Sequence, residues 1–181
     1  MKKTIVIDGR NQLIGRLASN IVILLKKGYT LKVIRCKDLV FSGRYEHVYN
    51  RILKKKNLKT RTNPNKGPYF FSNPSSLLKK IVKGMLNKLN KSHTLLFKSV
   101  ECFNDTPNRY IYNYKLFLKN SHKNYKLKPD SKFTKLYEIL PKFGWQDRSS
   151  CTESNSKNGI RSTIYSFNSK KLNNLISQKY Y

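Results

Sequence analysis

Acidic residues are scarce in this sequence. Only 9 of its 181 residues are aspartate or glutamate, against 38 lysines and arginines, so the formal net charge is +29. Like charge at this density repels itself and weakens the folded state unless a polyanion neutralises it. This imbalance argues against a free-standing metabolic enzyme. Hydrophobic residues make up 38% of the chain, too much for a disordered basic tail, and we expect a folded core with a cationic surface.

Long hydrophobic runs are also missing. The longest unbroken aliphatic run covers residues 21–25, far short of the roughly 20 residues of a membrane-spanning helix. The apolar stretch near the N-terminus ends at Asp8 and Gly9, too early for the hydrophobic region of a signal peptide. We therefore expect neither membrane insertion nor secretion.

Cysteines are few and widely spaced, at Cys36, Cys102 and Cys151. They form no Cys-x-x-Cys pair, and none of the 3 histidines stands at the spacing of a zinc ligand. We interpret the cysteines as buried or incidental thiols of a protein from a reducing compartment. The sequence predicts neither a disulfide framework nor a metal site.

Patterns typical of catalytic or nucleotide sites are weak. A P-loop has four residues between its glycines and then Lys, whereas five residues separate Gly9 from Gly15, and Arg16 follows. We interpret this segment as a tight βα turn that presents Arg10 and Arg16. The carboxylates form no close pairs, and the histidines are isolated among lysines. An RNA-modifying or nucleotide-dependent enzyme stays open as the alternative, because catalytic sites assemble from distant residues.

The distribution of cations indicates a nucleic-acid partner. Lysines outnumber arginines 29 to 9 and recur in short clusters along the chain. Each phosphate that a protein neutralises releases counterions, and lysine suits phosphate contact more than base reading because its ammonium lacks a bidentate fork. We expect a nucleic acid that is bound through its phosphates, and the pattern disfavours both sequence-specific DNA recognition and a membrane surface. Aromatic residues beside cations at 69–71 and 110–114 leave both base stacking and core packing open.

Hydrophobic periodicity predicts an α/β core. Residues 4–7 form a β-branched run, residues 13–25 have helical spacing that ends at Gly28, and residues 29–36 predict a second strand. A β-α-β unit of this length joins parallel strands through a right-handed crossover.

The middle of the chain predicts two basic helices. Helical spacing recurs over residues 45–53, and again after Asn73 and Pro74, which read as the cap and first residue of a helix. In the second helix, lysines lie opposite the apolar stripe, so we expect one face on the core and the other on phosphate. The lysines assigned to RNA on these helices are Lys54, Lys55, Lys56, Lys79, Lys80 and Lys83.

The C-terminal third predicts a strand over residues 97–103 and a helical stripe over residues 133–143, with Gly144 as its stop. Beyond Trp145 the composition shifts towards Ser, Asn and Thr, which indicates an extension ordered mainly by its partners. A short apolar set predicts one docking helix, at Leu172, Leu175 and Ile176. We divide the chain into a core at 1–148 and an extension at 149–181.

Several segments together resemble a known family. They are IDGRNQLIGRLAS at 7–19, VIRC at 33–36, SGRY at 42–45, TNPNKGPYFF at 62–71, NPSSLLKKIVKGML at 73–86 and LKPDSKFTKLYEILPKFGW at 127–145. In this order and without large gaps, they resemble the universal family of large-subunit ribosomal protein thirteen, in its eukaryotic and archaeal form. The resemblance covers residues from about 4 to 148.

This resemblance implies a three-layer α/β/α fold with a small, mainly parallel sheet of about four strands. It implies a structural constituent of the large cytosolic ribosomal subunit that binds ribosomal RNA beside neighbouring ribosomal proteins, with assembly in the nucleus or nucleolus. No enzymatic activity, cofactor, DNA, membrane or homo-oligomer is expected. Carried over by position, the predicted RNA contacts are Arg10, Arg16, Arg44, Arg61, Lys66, Lys79, Lys83 and Lys132.

Overall fold

The computed structural model describes residues 3–86, 91–147 and 165–167. The strands are β1 (Thr4–Asp8), β2 (Thr30–Ile34), β3 (Val40–Ser42), β4 (Val100–Cys102), β5 (Lys115–Leu118), β6 (Phe133–Lys135) and β7 (Tyr165–Phe167). The helices are α1 (Ile14–Lys26), α2 (Tyr45–Asn57), α3 (Pro74–Met85), α4 (Lys91–Lys98), α5 (Lys123–Lys126) and α6 (Leu136–Ile139). A parallel sheet has the order β4-β2-β1-β5-β7, and β3 pairs antiparallel with β6. The predicted α/β class, with a parallel sheet flanked by helices, is confirmed.

The predicted β-α-β unit forms the centre of this fold. β1 and β2 pair in parallel with Ile7 opposite Val33, and α1 connects them. The apolar positions of α1 are buried as the helical spacing predicts, at Ile14, Leu17, Ala18, Ile21, Val22, Leu24 and Leu25. Gly28 follows the helix with a φ of +85°, a conformation that suits glycine and turns the chain into β2.

The third helix packs on the first. Asn73 caps α3 by accepting a hydrogen bond from the backbone N–H of Ser75 at 3.2 Å, and Pro74 takes the first helical position, as predicted. Leu78 and Val82 are fully buried in the main core, which α1, α3 and the sheet share. The apolar face of α3 therefore lies inward, and its outer face is free to carry cations.

The strand predicted over residues 97–103 is wrong in its first half. Phe97 belongs to α4, and β4 begins only at Val100. Leu96 and Phe97 pack against the main core from the helix. These residues are apolar because they face the core from a helix, not because they belong to a strand. The ladder starts after the helix, where the backbone N–H of Leu31 donates to the carbonyl of Ser99 at 3.0 Å.

The helical stripe predicted over residues 133–143 is wrong at its start. Phe133–Lys135 is a strand, which pairs antiparallel with β3 and places Phe133 opposite Ser42. The helix α6 is short and continues as a 3₁₀ turn over Leu140–Phe143. It ends, as predicted, at Gly144, which has a φ of +94°. Pairing with a strand far away in the sequence overrides the local helical spacing.

The helix α2 packs on a second, smaller apolar cluster. This cluster consists of Val48 and Ile52 from α2 with Ile139 and Phe143. The aromatic ring of Phe70, from the loop before α3, packs on Phe143 with 5.7 Å between ring centroids. The loop and α2 are thus held on the same side of the molecule.

Part of the predicted extension belongs to the sheet. Residues 165–167 form β7 at the edge of the sheet, with Ser166 opposite Phe117 of β5. The predicted docking helix at Leu172, Leu175 and Ile176 lies outside the described residues, and the division at residue 148 stays a prediction. In the part of the chain that the structure describes, no helix has the length and apolarity needed to span a bilayer.

Candidate nucleic-acid interface

The cations that the sequence assigns to RNA lie almost entirely on the surface. Eleven of the twelve are exposed, and Lys79 is half-buried. The exposed set is Arg10, Arg16, Arg44, Lys54, Lys55, Lys56, Arg61, Lys66, Lys80, Lys83 and Lys132. Within the described residues, none of the twelve forms an ion pair with a carboxylate. Their charge is therefore available to an external anion.

The carboxylates that form ion pairs are found in and around the main sheet. Asp8 pairs with Arg35 at 3.3 Å, and Glu101 pairs with Lys32. Lys37 bridges the carboxylates of Asp105 at 2.7 Å and Asp147 at 3.2 Å. Burial disfavours the charged ammonium of Lys37, but the hydrogen bonds to these carboxylates outweigh burial and raise its pKa. Among the residues that the structure describes, the cations of α2 and α3 form no ion pair with a carboxylate.

Lys79 differs from the other lysines of α3 in its surroundings. It follows the fully buried Leu78, about 100° further round the helix, and lies on the flank of the helix rather than on the outer face predicted for it. Together with the hydrogen bond from Lys32, its charge helps to lower the pKa of the Glu101 carboxyl. Lys80, on the outer face, lies 5.2 Å from the centroid of the Phe71 ring.

The structure brings Arg44 and Lys132 together, although they are distant in the sequence. The β3–β6 pairing aligns the two segments, and the backbone N–H of Gly43 donates to the carbonyl of Lys132 at 2.8 Å. The buried hydroxyl of Thr134 donates to the carbonyl of Gly43 at 3.1 Å. Both cations line two adjoining grooves of about 420 and 500 Å³. The fold thus places two of the predicted RNA contacts at the same grooves.

Sequence reasoning missed two cations beside these grooves. The ammonium of Lys123 lies 3.8 Å from the centroid of the Phe133 ring. Burial and the charge of Lys135 lower the pKa of Lys123, so an anion bound nearby would stabilise its charged form. No local pattern marks Lys123 or Lys135. Lys123 lies on α5 and Lys135 on β6, so they come close to each other only in the folded chain.

Lys142 was also missed, and it lies beside the first two turns of α2. Its ammonium lies 5.0 Å from the ring centroid of Tyr45 and 5.7 Å from that of Tyr49, and these two rings stack on each other. The interaction with Tyr45 raises the pKa of Lys142. The ammonium of Lys56 lies 5.6 Å from the centroid of Phe143. Contacts with aromatic rings thus hold several of these cations in place.

The aromatic residues left open in the sequence divide between packing and exposure. Phe70 packs in the smaller apolar cluster, and Tyr110 packs on Phe103 with 5.7 Å between ring centroids. Tyr69 and Tyr112 are exposed. Packing thus accounts for only part of each aromatic group.

The turn after β1 packs too tightly to cradle a nucleotide. The N–H of Gly9 donates to the carbonyl of Ile34 at 2.9 Å, and an added Cβ at Gly9 would lie 2.9 Å from the same oxygen. The backbone N–H of Arg10 is also engaged, since it donates to the Asp8 carboxylate at 3.1 Å. This geometry supports a tight turn that presents Arg10 and Arg16.

Metal-binding and reactive-thiol chemistry find no support in the described residues. Among them, no group of three or more His, Cys, Asp or Glu side chains is placed to hold a metal ion. Cys36 is buried and Cys102 half-buried, while Cys151 lies outside the described residues. Burial and the neighbouring Cys102 raise the pKa of the Cys36 thiol well above its usual value, which makes it a poor nucleophile.

Comparison with known proteins connects this basic α/β fold to a family. The family model described as ribosomal protein L13 matches residues 2–109. The chain belongs to the ribosomal protein L13 family. Its resemblance to that family, inferred from motifs, is therefore confirmed.

Curated relatives named large ribosomal subunit protein uL13 match most of the chain. The relative from Spodoptera frugiperda is 26% identical over 176 residues, 97% of this chain and 86% of the relative. The one from Drosophila melanogaster is 29% identical over 164 residues, 90% of this chain and 80% of the relative. The one from Caenorhabditis elegans is 26% identical over 177 residues, 97% of this chain and 87% of the relative.

Membership of the L13 family establishes the general role. The chain is a structural protein of the large ribosomal subunit, where it binds ribosomal RNA and lies among other ribosomal proteins. The eukaryotic relatives place it on the cytosolic ribosome. Its role is structural rather than enzymatic, and the alternative of an RNA-modifying or nucleotide-dependent enzyme receives no support from these matches.

Proposed function

We propose that this L13 family member binds large-subunit ribosomal RNA through one basic surface, formed by α2, the loop that follows it, α3 and the β3–β6 grooves. The residues of this basic surface are Arg44, Lys54, Lys55, Lys56, Arg61, Lys66, Lys80, Lys83, Lys132 and Lys142. The observation that carries the proposal is that none of these described cations pairs with a carboxylate. Unpaired cations at this density favour contact with a polyanion.

Aromatic packing makes this surface continuous. Lys80 contacts Phe71 and also donates to the backbone carbonyl of Tyr69. The adjacent Phe70 packs on Phe143, whose ring Lys56 covers. The loop between α2 and α3 therefore connects the lysines of both helices. A rigid basic surface of this kind positions RNA segments by neutralising their phosphates, and it requires no reading of base sequence.

Arg10 and Arg16 belong to the turn after β1 and to α1, which are not among the elements that form the basic surface. Both follow β1, at the carboxyl edge of the sheet, and both are exposed. The charge of Arg10 acts on Asp38, whose pKa is nevertheless raised by burial. We propose that Arg10 and Arg16 contact a second RNA segment, and that Lys79 contributes from the flank of α3.

The finer expectations about partners are also part of this proposal. The chain acts as a single copy among its ribosomal neighbours, without DNA or membrane contact, and it joins the subunit during assembly in the nucleus or nucleolus. The lysine-rich, dispersed charge supports this, because phosphate contacts from several elements suit a folded RNA better than a flat membrane.

Sedimentation of the protein in cell extracts tests the role on the ribosome. At physiological salt we expect the chain to sediment with the large subunit and to stay there when the two subunits are separated. Release should require salt far above the physiological level, because many phosphate contacts must be broken. Sedimentation of most of the protein as a free species at physiological salt would refute the proposal.

A further inference from the structure

We propose that the grooves beside Arg44 and Lys132 hold one unpaired nucleotide of RNA, with its phosphate between these cations and its base on the ring of Phe133. This inference rests on the proposed RNA binding and deepens it. It adds a contact with a base to a surface that otherwise meets only phosphates.

The two grooves share one lining segment. Both are lined by Arg44, Ser131 and Lys132. These three residues, which come from two parts of the chain, are the shared segment of the lining. Their volumes, about 420 and 500 Å³, lie within the roughly 300–1,000 Å³ typical of clefts that hold small ligands. The shared segment supplies two cations and a hydroxyl, the groups that bind a phosphate. A phosphate is therefore expected between the grooves, not at their ends.

Carboxylates restrict where the phosphate can lie. Asp130 lines the smaller groove and Glu46 lines the larger one. Each repels a phosphate from its own end, which leaves the shared cationic segment as the favourable position. A carboxylate accepts hydrogen bonds, so Glu46 can receive an N–H from the edge of a base. The larger groove is thus suited to a base and the shared segment to a phosphate.

Phe133 supplies an aromatic surface in the larger groove. Its side chain is 41% exposed although it lies in a strand, and it lines this groove beside Lys132. The ammonium of Lys123 lies over the ring at 3.8 Å from its centroid. The rest of the ring is available for stacking, the contact that proteins use most often for unpaired bases.

The backbone around the grooves is fixed before RNA binds. Ser42 pairs with Phe133 in the β3–β6 ladder, and the hydrogen bonds of Gly43 to Lys132 and Thr134 hold the two segments in register. Little conformational entropy is then lost on binding at the backbone. A preformed site favours a nucleotide that is already unpaired, since a paired one must first leave its stack.

Two RNA hairpins of equal length test the inference with the full chain. One carries a single bulged 2-aminopurine, and the other is fully paired. We expect the bulged hairpin to bind about tenfold more tightly, the size of effect that base stacking on an aromatic ring produces, with an increase of the 2-aminopurine fluorescence as the base leaves its neighbours in the RNA. Phe133→Leu should abolish both the preference and the increase.

Tyr137→Leu provides the matched control. Tyr137 is 40% exposed, its ring lies 5.2 Å from the ammonium of Lys135, and it lines neither groove. We expect this variant to keep the preference for the bulged hairpin. Equal loss in both variants would overturn the inference.

The comparison of hairpins on the unmutated chain does not depend on any variant folding. Equal, salt-dependent binding of both hairpins would overturn the nucleotide site and leave the proposed RNA binding intact. If neither hairpin bound in a salt-dependent manner, both proposals would fail. Preference for the bulged hairpin without a change in fluorescence would leave the base in its RNA stack and would also overturn the inference.

Discussion

Gly9 stands where the first strand ends and the chain turns towards α1. Its N–H donates to the carbonyl of Ile34, and the two backbones approach so closely that a methyl group would lie 2.9 Å from that oxygen. Because the atom it would meet belongs to the backbone, no side chain can move away to make room. The close approach of β1 and β2 at this edge therefore depends on the absence of a side chain at Gly9.

Gly9→Ala is expected to destabilise the protein by about 1–3 kcal/mol, the usual cost of overpacking. Gly15→Ala is the matched control, because Gly15 lies in α1 with no atom within 4 Å of an added Cβ. Its replacement should be neutral or stabilise the helix by about 0.5–1 kcal/mol. Urea denaturation measures both changes in the free energy of unfolding. Equal stability of the two variants would contradict the proposed packing of the turn.

Residue types and local spacing predicted which cations are exposed, but not which of them lie close together in the fold. A lysine opposite an apolar stripe is placed outward by helix geometry alone, which suffices for Lys80 and Lys83. Lys79 lies at the border between the two faces, where spacing does not decide. The contact between the segments of Arg44 and Lys132 depends on the pairing of β3 with β6, and no local pattern encodes the partner of a strand.

At the level of elements, α2 packs on the core through its middle, and its last turn carries the exposed lysines that are proposed to bind RNA. Val48 and Ile52 are buried in the smaller apolar cluster, whereas the lysines of its last turn are exposed. Lysines near the carboxyl end of a helix also interact favourably with its dipole. Because Val48 and Ile52 stay buried, removing these charges should weaken RNA binding without unfolding the helix, although the interaction with the dipole is lost.

Replacing Lys54, Lys55 and Lys56 together by Gln is expected to reduce the salt dependence of RNA binding. The slope of log K against log salt should fall by about 2 to 3, since each phosphate contact contributes about 0.7–0.9. Titration of a ribosomal RNA fragment at several salt concentrations measures this slope.

The control for this variant removes three lysines at the opposite, amino edge of the sheet, namely Lys3, Lys26 and Lys27. It lowers the net charge by the same amount but lies outside the basic surface. We expect a much smaller change in the slope. Equal slopes for the two triple variants would mean that overall charge, and not the basic surface, determines binding.

Elements with strong local signals were predictable, and those that depend on distant partners were not. The helices α1, α2 and α3 combine apolar spacing with caps or terminal signals that are local in the sequence. β6 was mistaken for a helix because three residues show no period of their own, and pairing with β3 decides their conformation. Between α4 and β4 only Lys98 and Ser99 separate apolar residues, an interruption too short for local spacing to show that a helix ends and a strand begins.

At the scale of the whole molecule, the net charge of +29 makes the free energy of unfolding depend on salt and on bound polyanions. The ion pairs described for Asp8, Glu101, Asp105 and Asp147 involve cations in and around the sheet. The basic surface retains its mutual repulsion, which salt screens and a bound polyanion removes.

The isolated protein is therefore expected to become more stable as salt rises from about 50 to 500 mM. A gain of about 1–2 kcal/mol should raise the midpoint of thermal unfolding by about 2–4 °C per kcal/mol in a chain of this size. Polyphosphate at low salt should give a comparable rise at a much lower concentration, because it binds the folded surface. A midpoint that falls with salt would show that the ion pairs outweigh the repulsion.

The position of β1 in the middle of the sheet has a consequence during translation. β1 pairs with β2 on one side and with β5 on the other. About 80 residues separate the end of β2 from the start of β5, and at roughly 5–20 residues per second they take about 4–16 s to synthesise. Throughout that interval the nascent chain carries an open strand edge, a template for wrong pairing. The growing chain must therefore be kept from such pairing until β5 has been synthesised.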